Sequence, residues 1–225
     1  MSYFADSVLS YYRNIEPPHK LPKDVEVMNP YKQPETFEVA SQFYHKYYHD
    51  EHPRFICFCI NPGRFGAGVT GVPFTDPIQL EVHCQIKNEL EKKPELSSRF
   101  IYEMIQAFGG PKDFYAKFYI SAVSPLGYVR NGINLNYYDI MNYKALFESY
   151  AVTQIKKQLK FGISTETAFS IGKGENIKFL NWLNNKHQFF QEIIPLPHPR
   201  WVMQYRLKRK DTFVKEYVDA LNGVL

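Results

Sequence analysis

The stretch FICFCINPGRFGAGVTGVPFTDP, Phe55 to Pro77, opens with six apolar residues and then sets four glycines, three prolines, one asparagine and two phenylalanines into seventeen positions. An apolar run of that length suits a strand buried on both faces. Gly66, Gly68 and Gly71 then spell G-x-G-x-x-G, the spacing of a dinucleotide-binding turn. In such a turn the first glycine leaves the strand directly, and the third opens a helix that faces the pyrophosphate. Here INPGRF separates the strand from Gly66, and Pro73 and Pro77 interrupt the residues that would open the helix. The dinucleotide reading fails on both counts. What remains is a strand end carrying the amide of Asn61, a permissive backbone, and the rings of Phe65 and Phe74. Glycines admit a flat ligand closely and a ring behind a proline makes a stiff wall, which suits a planar base. The same residues also suit two core plugs around a tight turn.

Outward from this stretch, three more apolar runs have strand length: FYISAV (Phe118 to Val123), TAFSI (Thr167 to Ile171) and EIIPL (Glu192 to Leu196). Each is apolar enough for burial on both faces. Helical patterns lie between and after them, in IQLEVHCQIKNELEKK with SSRFIYEMIQAF, KALFESYAVTQIKKQLK, NIKFLNWLNNK and RLKRKDTFVKEYVDALNGV. The alternation predicts an α/β fold, a three-layer α/β/α arrangement around a mostly parallel four-stranded sheet. Such sheets bind ligands outside the carboxyl ends of their strands, so the loops from Asn61, Ser124, Gly172 and Pro197 are the ones to read for function. One domain over residues 1–225 is expected, with residues 1–34 forming a helix and an extended connector packed on it. Glu16 to Pro34 holds five of the fifteen prolines, and a second helix is expected to start near Pro34.

Composition narrows the classes. Lys and Arg exceed Asp and Glu by 27 to 23, a mild excess that matters only where it is concentrated. Cys57, Cys59 and Cys84 have no C-x-x-C spacing, which argues against a disulfide framework or a zinc or iron–sulfur site; neither metal nor cofactor is expected. No apolar run approaches a membrane span, and the first residues lack the features of a signal peptide. A soluble cytoplasmic protein without membrane contact is expected.

The charge is concentrated after the last strand. In PRWVMQYRLKRK, Arg200, Arg206, Lys208, Arg209 and Lys210 stand without a single acid, interleaved with Trp201, Val202, Met203 and Tyr205. Cations at that spacing can hold phosphates, and apolar side chains among them can wedge into a base stack. The same segment could simply cap and solvate the start of the last helix. Gly172 to Gly174, GKG, could meet a phosphate or be only a turn.

Four segments together carry a resemblance. INPGRFGAGVTGVPF is similar to the first motif of the single-strand-selective monofunctional uracil-DNA glycosylases, family 3 of the uracil-DNA glycosylase superfamily. PLPHPR, Pro195 to Arg200, resembles the second motif, His-Pro-Ser-Pro-Arg, while SPLGYV and GINL resemble the Cys-Pro-Leu and Gly-Arg-Asn-Leu segments between. The order is the family's, from about Val27 to the C-terminus, in a divergent, bacterial-type version. The resemblance implies a monomeric DNA glycosylase of base excision repair that turns a deaminated base out of single- or double-stranded DNA, hydrolyses its N-glycosidic bond and leaves an abasic site. It gives Asn61 the holding of a water and His198 the donation of a hydrogen bond to the departing base. Phe74 stacks on the base, with Pro62, Gly63 and Phe65 around it and Gly63 at the pocket floor. Ser124, Pro199, Arg200, Trp201, Met203, Tyr205, Arg206 and Lys208 fall where the family meets DNA.

That chemistry needs no metal. The base leaves with the bonding electrons while positive charge grows on the sugar, so the site must stabilise an anion and position water. An asparagine amide holds water and offers a carbonyl dipole, and an imidazole N–H can meet the developing negative charge. Neither motif places a Schiff-base lysine, which predicts hydrolysis without strand cleavage.

Two departures stand out. The family's His-Asn pair, whose Asn reads the base edge, aligns with Ser121 and Ala122. Either Ser121, Ser124, Asn131, Asn134 or Asn136 replaces that Asn, or the pocket discriminates less and takes hypoxanthine or xanthine beside uracil. HPRW in place of His-Pro-Ser-Pro-Arg reshapes the wedge. The competing expectations are a non-catalytic nucleic-acid binder of the same fold, and a nucleoside hydrolase, which would not need the basic aromatic segment.

Overall fold

The computed structural model describes residues 3–225, among them ten α-helices and seven strands. In chain order these are α1 (Phe4–Arg13), β1 (Glu26–Met28), α2 (Pro34–Tyr48), β2 (Arg54–Cys59), α3 (Ala67–Thr70), α4 (Pro77–Val82), α5 (Leu96–Phe108), α6 (Pro111–Lys117) and β3 (Phe118–Ala122). There follow β4 (Gly127–Arg130), β5 (Ile133–Leu135), α7 (Tyr143–Leu159), β6 (Ile163–Ile171), α8 (Glu175–His187), β7 (Glu192–Leu196), α9 (Pro199–Tyr205) and α10 (Lys210–Asn222). No helix among the described residues is long and apolar enough to cross a membrane.

The four apolar runs form one parallel sheet in the order β3-β2-β6-β7, and the expected α/β fold stands. β2 lies inside, paired with β3 on one side and β6 on the other, and it buries Ile56, Cys57, Phe58 and Cys59. β7 departs from the expectation of two buried faces. It is an edge strand whose Glu192 and Pro195 are exposed, and only Leu196 is fully enclosed. A proline is tolerated there because the edge leaves its missing N–H unneeded.

A second, smaller sheet was not anticipated. The segment expected to be a plain connector contributes β1, which pairs antiparallel with β4, and β4 pairs with β5 across the Asn131–Gly132 turn. Both turn residues have positive φ, 50° and 72°, as a two-residue hairpin turn requires. The run IQLEVHCQIKNELEKK also differs, because its helix stops at Val82. Gln85 turns left-handed, with φ at 54°, and the Asn88 amide then ties the following loop to the carbonyls of Pro77 and Ile86. Ile86 and Leu90 are buried from that loop, so its apolar spacing reports burial without helix.

The N-terminal helix belongs to the core. α1 packs on α2 and α7, and its Tyr12 stacks on Tyr31 at 4.1 Å and shares a 3.1 Å hydrogen bond with the Tyr119 hydroxyl. Met1 and Ser2 lie outside the described residues.

At the amino end of β2 the Arg54 side chain is fully buried, and every N–H group of its fork has an acceptor nearby. Nε donates to Tyr115 O, and the terminal nitrogens to both Asp50 oxygens and the carbonyls of His52 and Tyr47. The rings of Phe4 and Tyr48 each lie 4.7 Å from the guanidinium carbon. Burial alone would raise the Asp50 pKa, but the Arg54 hydrogen bonds and charge hold it below the usual range. Its contribution is therefore complete above the unfolded carboxylate value and is lost as pH falls through the lower folded one. Asp50→Ala strands a buried cation and should cost about 3 kcal/mol, read as a lower urea midpoint at pH 7 with unchanged slope.

Candidate active site

β2 delivers Asn61 two residues past its last ladder position, where the side chain is clamped at both ends. Oδ1 accepts the Tyr137 N–H at 2.9 Å, and Nδ2 donates to Leu135 O at 3.0 Å and Pro62 O at 3.3 Å. The clamp is itself anchored, since the Tyr137 hydroxyl donates to Asn176 Oδ1 at 3.1 Å and Asn176 Nδ2 reaches Phe58 O and Ser170 Oγ. These contacts fix which end of the amide is oxygen, and that oxygen keeps one lone pair.

The glycine loop then builds one wall of a pocket. Thr70 Oγ1 donates to Thr75 O at 2.6 Å and accepts the Val72 N–H at 3.1 Å, closing a tight turn around Phe74. Asp76 caps α4 by accepting from Ile78 and Gln79, and its other oxygen takes the Glu95 N–H at 3.0 Å. Between these anchors Phe74 is held at a φ of 51°. A non-glycine residue there stores strain, which persists only when its surroundings over-determine it. The ring lines a pocket together with Pro62, Gly63, Ala122, Cys59, Tyr31 and Glu95.

His198 faces Phe74 edge-on, the ring centres 6.0 Å apart at 68°. Its Nδ1 caps α9 by accepting the Arg200 N–H at 3.2 Å, so the remaining ring proton sits on Nε2. Burial, and then the Arg200 charge, press its pKa down from the ordinary 6.5 to about 4, and the imidazole is neutral at pH 7. The preceding carbonyl, Pro197 O, is held by the Tyr217 hydroxyl from α10. His198 itself lines a second cavity, with the Gly172–Gly174 turn, Trp201 and Phe213.

Most of the expected residues gather here. Asn61, Pro62, Gly63, Phe74, Ala122 and His198 all line this pocket or the two cavities that adjoin it. Arg200, Trp201, Tyr205, Arg206 and Lys208 are exposed, and the Arg206 guanidinium covers the Trp201 ring at 4.9 Å. Trp201 also meets Phe213 edge-on at 5.7 Å, so it braces α10 as well as facing solvent. Lys210 is engaged by Glu103 at 2.5 Å, and Lys173 of the GKG turn by Glu216 at 2.7 Å.

Five expectations need correction. Ser121 is wholly buried with an unpartnered hydroxyl and does not line the pocket, because alternation along β3 gives that face to Ala122. Ser124 is also wholly buried, and its hydroxyl is taken by Tyr128 at 2.6 Å, so it offers DNA no surface. Pro199 and Met203 face inward from α9 instead of forming a wedge. Phe65 sits 43% exposed on an outer groove, between the cations of Arg64 and Lys93, and not in the base pocket. Of the asparagines considered as readers, Asn134 and Asn136 reach that outer groove, Asn136 holds Asp139, and Asn131 lies in the hairpin turn.

One residue escaped the sequence reading. Glu95, the N-cap of α5, puts its carboxyl into the pocket beside Ala122 and Phe74. Burial first, and then the Asp76 charge, push it up to about 7, with Arg200 pulling the other way. No motif flagged it, since a glutamate after KKP reads as a solvated loop.

A neutral imidazole, a clamped amide and an aromatic wall at the carboxyl ends of a parallel sheet, beneath a basic rim, are the equipment of a DNA glycosylase, a hydrolase of N-glycosyl bonds that works in DNA repair. The chain belongs to the uracil DNA glycosylase superfamily, whose model matches residues 45–222. Its structure is similar to the crystal structure of wild-type SMUG2 from Pedobacter heparinus, at 42% sequence identity and a TM-score of 0.96, covering 100% of this chain and 99% of that one. No curated protein matches.

Because the folded His198 pKa lies below its ordinary value, stability should rise with pH between about 4 and 6.5 as the unfolded ring loses its proton. NMR of the native protein should place the His198 titration near pH 4 and its proton on Nε2. A midpoint near 6.5 would contradict the buried, helix-capping arrangement.

Proposed function

We propose that the chain is a monofunctional glycosylase that turns a deaminated base out of DNA and hydrolyses its N-glycosidic bond, with uracil as the first substrate. The observation that carries the reading is the neutral His198 packed edge-on against Phe74, the ring that lines the pocket, with the clamped Asn61 in the adjoining groove. A base stacked on Phe74 brings one of its carbonyl oxygens toward His198 Nε2–H, which donates to it as the bond breaks and negative charge moves onto the base. A neutral donor strengthens as that charge develops, whereas an imidazolium would already bind ground-state carbonyls. The free lone pair of Asn61 Oδ1 accepts from a water that attacks the cationic sugar carbon, and the same carbonyl dipole favours that charge. The water supplies the hydroxyl at the sugar carbon, its proton passes to solvent or to the departing base, and an abasic site remains.

Ala122 presents a methyl where a family asparagine would read the base. We propose that discrimination is relaxed accordingly, with hypoxanthine and xanthine accepted beside uracil. Exposed Arg200, Arg206 and Lys208 grip phosphates while Trp201 and Tyr205 support the opened stack, repaying the few kcal/mol that extrusion costs. A monomer is sufficient for this site, because the catalytic and base-facing groups come from one chain. Three free, buried cysteines are consistent with a reducing, cytoplasmic setting.

The test is incubation of oligonucleotides carrying one uracil, hypoxanthine or xanthine, with abasic sites revealed by alkali. Single-turnover rates on uracil should fall roughly 10²- to 10³-fold in His198→Ala, the usual loss for one preorganised donor. Asn61→Ala should fall at least as far, and Arg200→Ala with Lys208→Ala should weaken binding and flatten its salt dependence. Tight salt-sensitive binding with no abasic product on any of the three would instead identify a non-catalytic binder.

A further inference from the structure

The pocket that receives the base has an unexplained occupant. Ala122 adds only a methyl, Pro62 and Phe74 add no side-chain donor or acceptor, and Tyr31 spends its hydroxyl on Gly71 O. Besides the Tyr12 phenol and the Cys59 thiol, the polar side chain at the pocket is Glu95, its one carboxyl among the described residues. Its backbone N–H is held by Asp76 and its carbonyl accepts from the Arg99 N–H, while its carboxyl makes no hydrogen bond to any described residue. The chain leaves space for that carboxyl, since a Cβ on Gly66 would lie 1.9 Å from Glu95 Oε2.

Resting on the glycosylase reading above, we propose that Glu95 is the specificity-determining residue that reads the hydrogen-bonding edge of the extruded base, in place of the side chain that position 122 lacks. The contact is made by the neutral acid. A protonated carboxyl presents one donor and one acceptor side by side, the complement of a ring N–H next to a carbonyl. Uracil, hypoxanthine and xanthine all carry that N–H and carbonyl pair, so a single group on this chain accounts for a pocket shared by deaminated bases. An ionised carboxylate would set an acceptor against the base carbonyl and lose the contact.

The surroundings favour the neutral form. Asp76, the cap of α4, faces Glu95 with its negative charge, and Arg200 of α9 opposes it. Cys59 at the end of β2 is pushed up to about 12, Tyr12 and Tyr31 are raised by burial, and His198 is near 4, so these neighbours keep one charge state between pH 6 and 8.5. Glu95 itself is placed at about 7. When Arg200 turns to a DNA phosphate, its opposing influence weakens and the carboxyl stays protonated to higher pH. The sign follows: activity is fullest while the acid is neutral and declines as pH rises through the value it has in the complex.

The experiment compares single-turnover rates on a uracil oligonucleotide from pH 6 to 8.5 for the wild type, Glu95→Gln and Glu95→Ala. Gln supplies one donor and one acceptor at every pH, so Glu95→Gln should stay within about threefold of wild type at pH 6 and lose the alkaline decline. Glu95→Ala should lose roughly 10- to 100-fold in kcat/KM, the loss expected for a charge-free contact pair. A role confined to capping α5 would move thermal stability and leave the pH profile alone. An alkaline decline that persists unchanged in Glu95→Gln, or an unimpaired Glu95→Ala, would overturn the assignment; because Gln is isosteric, it stands as the test even where Ala does not fold. Wild-type protein inactive on every base at every pH would overturn the glycosylase reading itself, and the wild-type control separates that result from the first.

Discussion

The site depends on one asparagine side chain held by the backbone of a distant segment. The β2–β3 ladder runs out past Cys59, where Val123 and Ser124 donate to Cys59 O and Ile60 O, and the next polar groups have no strand beside them. Buried polar groups without partners cost too much to persist. The Asn61 amide meets that demand by taking Leu135 O and Tyr137 N–H, which lie more than 70 residues further along the chain. Those two backbone groups are in place only because β5 is paired with β4 and β4 with β1. The small antiparallel sheet is therefore a mount for Asn61, and the segment near β1 that composition marks as connector is part of the machinery.

Burial then sorts the charges. The same loss of water that lowers His198 to about 4 raises Glu95 to about 7, because in each case it disfavours the charged form. Near pH 7 the interior therefore carries little charge, with a neutral imidazole beside the aromatic wall and a pocket carboxyl that is about half protonated among phenols. The fixed cations, Arg64, Arg200, Arg206 and Lys208, stay at the exposed rim. This division matches the two parts of a nucleotide: a polyanionic backbone met by charge, and an uncharged base met by shape and neutral hydrogen bonds. In the reaction proposed for this site, departure of the base as an anion is the event that creates new charge inside, where an N–H donor counts for most.

Much of this was legible. Four apolar runs announced the parallel sheet, and INPG and PHP marked the ends of β2 and β7, where the two chemical groups stand. The small sheet was hidden because its strands, three or four residues each, are too short for a period to show. Even so, VRNGIN carried the Asn-Gly signal of a hairpin between alternating residues. The inward turn of Pro199 and Met203 was hidden because a seven-residue helix, α9, divides the basic run into two faces, and only a helical count from His198 separates Trp201 from Val202 and Met203. Glu95 could not be seen at all. Its meaning comes from Gly66 and Asp76, which reach it through the fold and not through spacing.

The glycines that imitate a dinucleotide motif can now be read one by one. At Gly66 an added Cβ would strike the Glu95 carboxyl. At Gly68 it would lie 2.5 Å from Gly63 O and 2.7 Å from Met28 Cε, so the loop could neither close on itself nor accept the side chain that β1 inserts. Gly71 ends α3 with φ at 69°, where its carbonyl takes the Tyr31 hydroxyl. None of the three needs a phosphate. Each allows one close approach, to the pocket acid, to the mount of Asn61 and to the Tyr31 ring, while the Thr70 and Asp76 hydrogen bonds hold Phe74 in a conformation that its own side chain disfavours. A loop built by such contacts is stiff despite its glycines, and a stiff wall meets a flat ligand without first having to become ordered.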